Sequence, residues 1–217
     1  MPRDLEWLEN KIARETGWRK KEMTTALILV KQSKGEILSY AKRVAFVALY
    51  AHWEGWIKHV GKLYVNYIDA QKLPTSELDP AFAGAVMKSK IDSVFVAEST
   101  RPHAEIAAFV RESWSIYNPL SESIVDTEAN LGTTVLGKIV HGLNLGDYYD
   151  YSLKIQMIDQ QLVKRRHTIA HGEWDVPDDS LFEQVYRDIL ALLDDFSDAI
   201  IEAARDKAYL ASLEVSA

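Results

Sequence analysis

Residues 37–70 read ILSYAKRVAFVALYAHWEGWIKHVGKLYVNYIDA. Ile37, Tyr40, Ala41, Val44, Ala48, Trp53, Trp56, Ile57, Val60, Tyr64 and Tyr67 recur at the three- and four-residue steps of a helix with one apolar side. Such a helix, running to about Ala70, is a central pillar, because so many aromatic rings lose enough contact with water only when other helices pack around them.

The same period continues on both sides. Upstream, Leu5, Leu8, Ile12, Met23, Leu27 and Val30 mark a first helix, with Gly17 as a point of bending or breakage and Gly35 as its stop. Downstream, Leu73 to Ser76 is a connection, and Asp79-Pro80 opens a helix through Phe82, Val86 and Met87. Ile91 to Ala97 reads equally as a short strand or as more helix. Arg101-Pro102 opens another helix through Ile106 and Val110. Residues 114–127, with Asn118-Pro119 and several serines, read as loop, the one place for a lid or inserted arm. Thr133 to His141 is a short helix. A longer one runs from about Leu153 to His171 and closes at Gly172, and Asp178 and Asp179 cap a last helix with an apolar stripe from Val185 to about Leu210.

These elements define an all-α fold, a single-domain helical bundle of long antiparallel helices spanning residues 1–217. Composition agrees. In 217 residues, 47% hydrophobic and 26% charged is the mix of a globular protein with a sizeable core, and only ten Gly and six Pro argue against a turn-rich β fold. With no Cys, a disulfide scaffold, a thiolate metal site and a cysteine nucleophile are excluded. The N-terminal MPRDLEWLEN has no apolar signal region, and the apolar runs are too short to span a bilayer, so a cytoplasmic protein without a membrane partner is expected. At a net charge of −7, contact with nucleic acid must come from a local basic cluster.

The densest such cluster is Lys164-Arg165-Arg166-His167-Thr168-Ile169-Ala170-His171-Gly172. Cations in a last helical turn complement the helix dipole, and a solvated basic face is the plain explanation. Arg with His also has a chemistry. His171 is suited to take a proton from a ribose 2′-OH or return one to a leaving oxygen, worth about 10²–10⁴ in rate. Arg166 is suited to hold charge on the phosphate oxygens. Lys164 and Arg165 are candidate RNA contacts. On a straight helix, however, Arg166 and His171 stand about 140° apart, whereas His167 and His171 share a face. That spacing also admits a metal pair, with Glu54 or Glu173 as a third ligand; without the Glu of an HExxH motif, no metal and no cofactor is the expectation.

The second cluster is Tyr50-Ala51-His52-Trp53-Glu54-Gly55-Trp56. Either His52 and Glu54 face solvent, or they support the Arg/His cluster, with Glu54 the better partner for Arg166. Arg14, Lys20, Lys21, Lys88 and Lys90 are further cations without specificity.

Arg166-His167-Thr168-Ile169-Ala170-His171 resembles the Arg-x4–6-His motif of the HEPN superfamily, and LVKRRHTIAHGE, the upstream His52-Trp53-Glu54-Gly55, the early WRKKE and the KSK at Lys88–Lys90 resemble a prokaryotic branch of it. The resemblance covers roughly Leu5 to Leu210. It implies a helical bundle, a homodimer whose two Arg/His pairs line one cleft, and a metal-independent endoribonuclease of a toxin–antitoxin or anti-phage system, with an antitoxin or other defence-system protein as partner. It equally admits a non-catalytic HEPN module that binds a partner protein or nucleotide. The motif pair would be Arg166 and His171, with His167, Glu54 and His52 in support. Two positions depart from the pattern. His167 stands where Asn or another polar residue often follows the Arg, and Glu173 stands where some HEPN toxins carry a modifiable Tyr.

Overall fold

The computed structural model describes residues 3–96 and 100–212. Among them it contains seven α-helices and no strand, only two isolated backbone bridges, Pro74 with Tyr117 and Leu78 with Leu210. Helix α1 spans Leu5–Gln32, capped by the Asp4 side chain, which accepts from the Trp7 amide. It runs unbroken through Gly17. One glycine inside a helix costs about 1 kcal/mol against Ala, and burial of Leu8, Ile12, Met23 and Val30 outweighs that. Gly35, at φ +59°, makes the tight turn into α2 (Gly35–Ala70), which at 36 residues is the longest element.

The remaining helices are α3 (Pro80–Val96), α4 (Pro102–Ser113), α5 (Thr133–Gly142), α6 (Lys164–Ala170) and α7 (Asp179–Arg205). The ambiguous stretch from Ile91 is therefore helical as far as Val96; Ala97 lies outside the described residues. α4 buries none of its residues. The loop 114–127 is tied down: Tyr117 Oη and the Leu120 amide both donate to Asp69 of α2, and Asn118 donates to Thr75.

The core is a three-helix layer of α1, α2 and α7 with α5 and α6 closing its side. Ion pairs fix the directions. Lys20 meets Asp194 and Lys31 meets Glu183, so α7 runs antiparallel to α1. Lys42 meets Asp179, and the Trp56 indole donates to the Leu193 carbonyl, so α7 runs parallel to α2. Trp53 and Trp56 are fully buried, and each indole N–H finds a backbone carbonyl, Leu131 O for Trp53.

The main departure from expectation lies before the basic cluster. In place of one α-helix from Leu153, a 3₁₀ turn (Ser152–Lys154) leads through residues 155–156 into a π-helix (Met157–Val163), and a regular α-helix resumes only over Lys164–Ala170. The wider winding advances each residue by less than the 100° of an α-helix. It holds Asp159 against the start of α5, where its carboxylate accepts from the Thr133 amide and hydroxyl. The last helix also stops earlier than its stripe suggests, at Arg205, with Lys207 in a left-handed turn.

Candidate functional site at the end of α6

Arg166 leaves α6 toward α2, and three groups hold its guanidinium. Its carbon lies 3.9 Å over the Tyr50 ring, its Nη2 stands 3.7 Å from Glu54 Oε2, and Nη2 donates to the Ala129 carbonyl at 3.3 Å. Tyr50 and Glu54, four residues apart, share one face of α2, which is why both reach the same cation. Ala129 has φ +55° and follows Glu128 at +50°, a left-handed pair rare for residues with a Cβ; the strained loop aims that carbonyl at Arg166. The Leu131 amide donates to Tyr50 Oη at 2.7 Å, locking the same loop to the ring. Burial pushes the Tyr50 phenol up to about 12, with the Glu54 charge adding to the effect, so it stays neutral as a packing surface for the cation.

His167 and His171 behave differently. Both are exposed, their rings 4.2 Å apart at 50°. His171 is the last residue before the turn. Gly172, at φ +85°, donates to Ile169 O, and Glu173 donates to Thr168 O, the paired bonds of a Schellman stop. Within one chain Arg166 thus turns inward to α2 while the imidazoles face water; no contact joins Arg166 to His171 among the described residues.

Of the other expected residues, Lys164 is exposed at the rim. Arg165 is not free for a ligand: it pairs with Asp175 at 2.6 Å and donates to Gln161, pinning the loop after Gly172. Glu54 makes the ion pair expected of it. His52 does not support this cluster. The two residues are 200° apart around α2, so His52 faces α1, 3.1 Å from Glu22 and edge-on to Trp18. Among the described residues no group of three or more His, Asp or Glu side chains gathers in metal-binding geometry, and no helix is long and apolar enough to cross a membrane.

Three participants carried no expectation of a role. Tyr50 was visible only as part of an aromatic run. Arg43 lies seven and eleven residues before Tyr50 and Glu54, on the same stripe of α2, and donates to the Glu173 carbonyl at 3.0 Å. Trp174, 78% exposed, receives the Arg43 guanidinium over its ring at 5.3 Å.

An all-α bundle of this kind fits a HEPN domain. Residues 8–209 match the family described as MAE_28990-like HEPN, and the chain belongs to that family. No curated protein and no solved structure matches it.

Proposed function

We propose that the protein is a metal-independent endoribonuclease that acts as a homodimer, serving as a toxin or anti-phage effector controlled by a partner protein. The observation that carries this reading is the division of labour at the end of α6: two imidazoles in water, and one turn earlier a guanidinium held in a fixed direction by Tyr50, Glu54 and the Ala129 carbonyl. His171 removes the proton from a ribose 2′-OH as that oxygen attacks phosphorus. The bond to the 5′-oxygen breaks, and that oxygen takes a proton from the neighbouring imidazole or from the pair on the second chain. The products are a 2′,3′-cyclic phosphate and a 5′-hydroxyl. Arg166 stabilises the charge that builds on the non-bridging oxygens, and Lys164 contacts the flanking phosphate.

A twofold pairing answers the angular separation of Arg166 and His171, since it sets two clusters around one cleft. Ile37 (70% exposed), Tyr40 (68%) and Val44 (49%) form an apolar stripe on α2 beside the site, which supports a second copy there. The same stripe favours, as a second reading, a non-catalytic module that docks on a different protein.

The test is incubation of purified protein with RNA in the presence of EDTA. Wild type is expected to yield fragments with 5′-hydroxyl ends, and His171→Ala to cut at least about a hundredfold more slowly with an unchanged Tm. Equal cutting by both, or by neither, overturns the enzymatic reading.

A further inference from the structure

An exposed indole three residues along the chain from an exposed imidazole is an unusual thing for a fold to hold in place. Two arginines hold the loop that carries Trp174. Arg43 anchors it to α2 through the Glu173 carbonyl, and Arg165 anchors it to α6 through Asp175. The loop opens with the Schellman turn at Gly172, so Trp174 follows His171 by three residues on a braced path. Arg43 also lies over the indole at 5.3 Å, yet the ring remains 78% exposed, with room for a second flat partner. The buried Nε of Arg43 has no hydrogen-bond partner among the described residues, so stacking and one backbone contact are what orient the guanidinium.

The surroundings select the partner. Lys164, His167 and His171, three and four residues apart, share one face of α6, all exposed, and favour an anionic ligand. On the reading of this site as one for RNA, the anion with a flat ring is a nucleotide, and a base able to lie on an indole must be out of its own stack. We propose that Trp174, braced by Arg43, is the stacking platform for one unpaired base of an RNA strand whose adjacent phosphate lies at His167 and His171. The protein then takes single-stranded RNA or loops and discriminates against uninterrupted duplex. This builds on the reading of the α6 end as an RNA site but not on cleavage there.

The experiment measures binding of a labelled 2′-O-methyl oligoadenylate strand and of its duplex with 2′-O-methyl oligouridylate, in wild type, Trp174→Ala and Trp174→Phe; the blocked 2′-oxygen cannot attack phosphorus, so no strand is cut. Trp174→Ala is expected to weaken single-strand binding roughly tenfold and to leave duplex binding nearly unchanged, while Trp174→Phe keeps most of the affinity. A strand lacking one base at the preferred position is expected to lose affinity for the parent and none further for Trp174→Ala. Equal single-strand binding by Trp174→Ala and its parent overturns the platform, whatever the cleavage result. Weakened binding accompanied by a dimer-to-monomer change in sedimentation, without rescue by Phe, also overturns it and assigns the ring to a protein interface. Clear discrimination by Trp174 in a protein that cuts no RNA leaves the platform standing and removes only the catalysis.

Discussion

Two arginines pack against opposite sides of α2 in the same manner, and the imidazoles that accompany them are held differently. Arg19 of α1 lies 4.4 Å over the Trp18 ring, 3.9 Å from Glu15 and within 3.5 Å of the Gly55 carbonyl. Arg166 lies over Tyr50, beside Glu54, and donates to the Ala129 carbonyl. Each guanidinium meets one aromatic face, one carboxylate and one backbone oxygen. The imidazole next to Arg19 is His52, 8% exposed and closed in by Trp18 and Glu22; those nearest Arg166 in sequence are His167 and His171, both open. The clamp alone therefore does not mark a reactive centre. What separates the two regions is whether the imidazoles are tied to carboxylates: His52 meets Glu22, and the partly open His59 meets Glu15 at 3.7 Å, whereas among the described residues no carboxylate pairs with His167 or His171. His52-Trp53-Glu54-Gly55 serves both sides, since successive residues of a helix turn by 100°. His52 and Gly55 meet α1, Trp53 enters the core and Glu54 meets Arg166. Gly55 leaves room on the α1 side, where a Cβ would stand 3.2 Å from Arg19 Nη1 and the guanidinium would have to give way by a few tenths of an ångström.

The sharpest way to break this comparison is to truncate the two cations in turn. Arg166→Ala is expected to lower RNA cleavage by about 10²–10³ with Tm close to wild type. Arg19→Ala is expected to do the reverse: a loss of about 1–3 kcal/mol of stability from missing packing and hydrogen bonding, with normal turnover by the protein that remains folded. Urea denaturation and initial rates on the same samples decide it. If both variants lose stability and neither loses rate, the two regions are the same kind of structure and the α6 end is not a site.

A smaller effect tests what Glu54 does. A carboxylate beside a cation proposed to bind phosphate repels an incoming phosphate, so it earns its place only by fixing Arg166's direction. Glu54→Gln keeps the shape and weakens that hold. The rate is expected to fall about tenfold, with KM unchanged or slightly lower. In the Arg166→Ala background the same change is expected to do nothing more, since Glu54 acts through Arg166. An equal loss in both backgrounds would mean that Glu54 contributes independently of Arg166.

Much of this was open to a reader of the sequence, for a reason that also explains the gaps. The apolar repeats of α1, α2 and α7 report the face that each helix buries, so the bundle is visible in Leu8 and Ile12, in Trp53, Trp56 and Val60, and in Ile189, Leu193 and Phe196. Helix ends with side-chain or glycine caps, at Asp79-Pro80, Gly172 and Asp178, are equally visible. The π-helix is not, because i→i+5 bonding leaves no mark in composition, and the contact it accompanies, Asp159 with Thr133, is a tertiary one. The partner of a polar residue on a helix buried on several sides is also hidden. His52 and Glu54 look alike in sequence, and which neighbour each meets depends on where α1 and α6 pack. Trp174 carries no mark of a role in the sequence, because an indole is ordinarily largely buried.

The smallest expected effect probes the closed side. Burial holds the His52 imidazole below its ordinary value of about 6.5. Arg19 adds to that depression, and Glu22, 3.1 Å away, opposes it without reversing it. The folded state therefore binds fewer protons at this position than the unfolded chain, and folding stability rises with pH between the folded and the unfolded values. The contribution is complete above the unfolded value and is lost as acid takes the pH down through it toward the folded one. Tm measured from about pH 7.5 to 5 is expected to decline for wild type and to decline less for His52→Gln, which cannot take up a proton. Asp69, whose carboxyl is held low by the Leu120 amide, Tyr117 and Lys72 against the opposing effect of burial, loses its contribution only at lower pH and does not interfere. A slope identical in the two proteins would show that His52 keeps its proton balance on folding; it would then resemble an imidazole in water, and the contrast between the two sides of α2 would lose its physical basis.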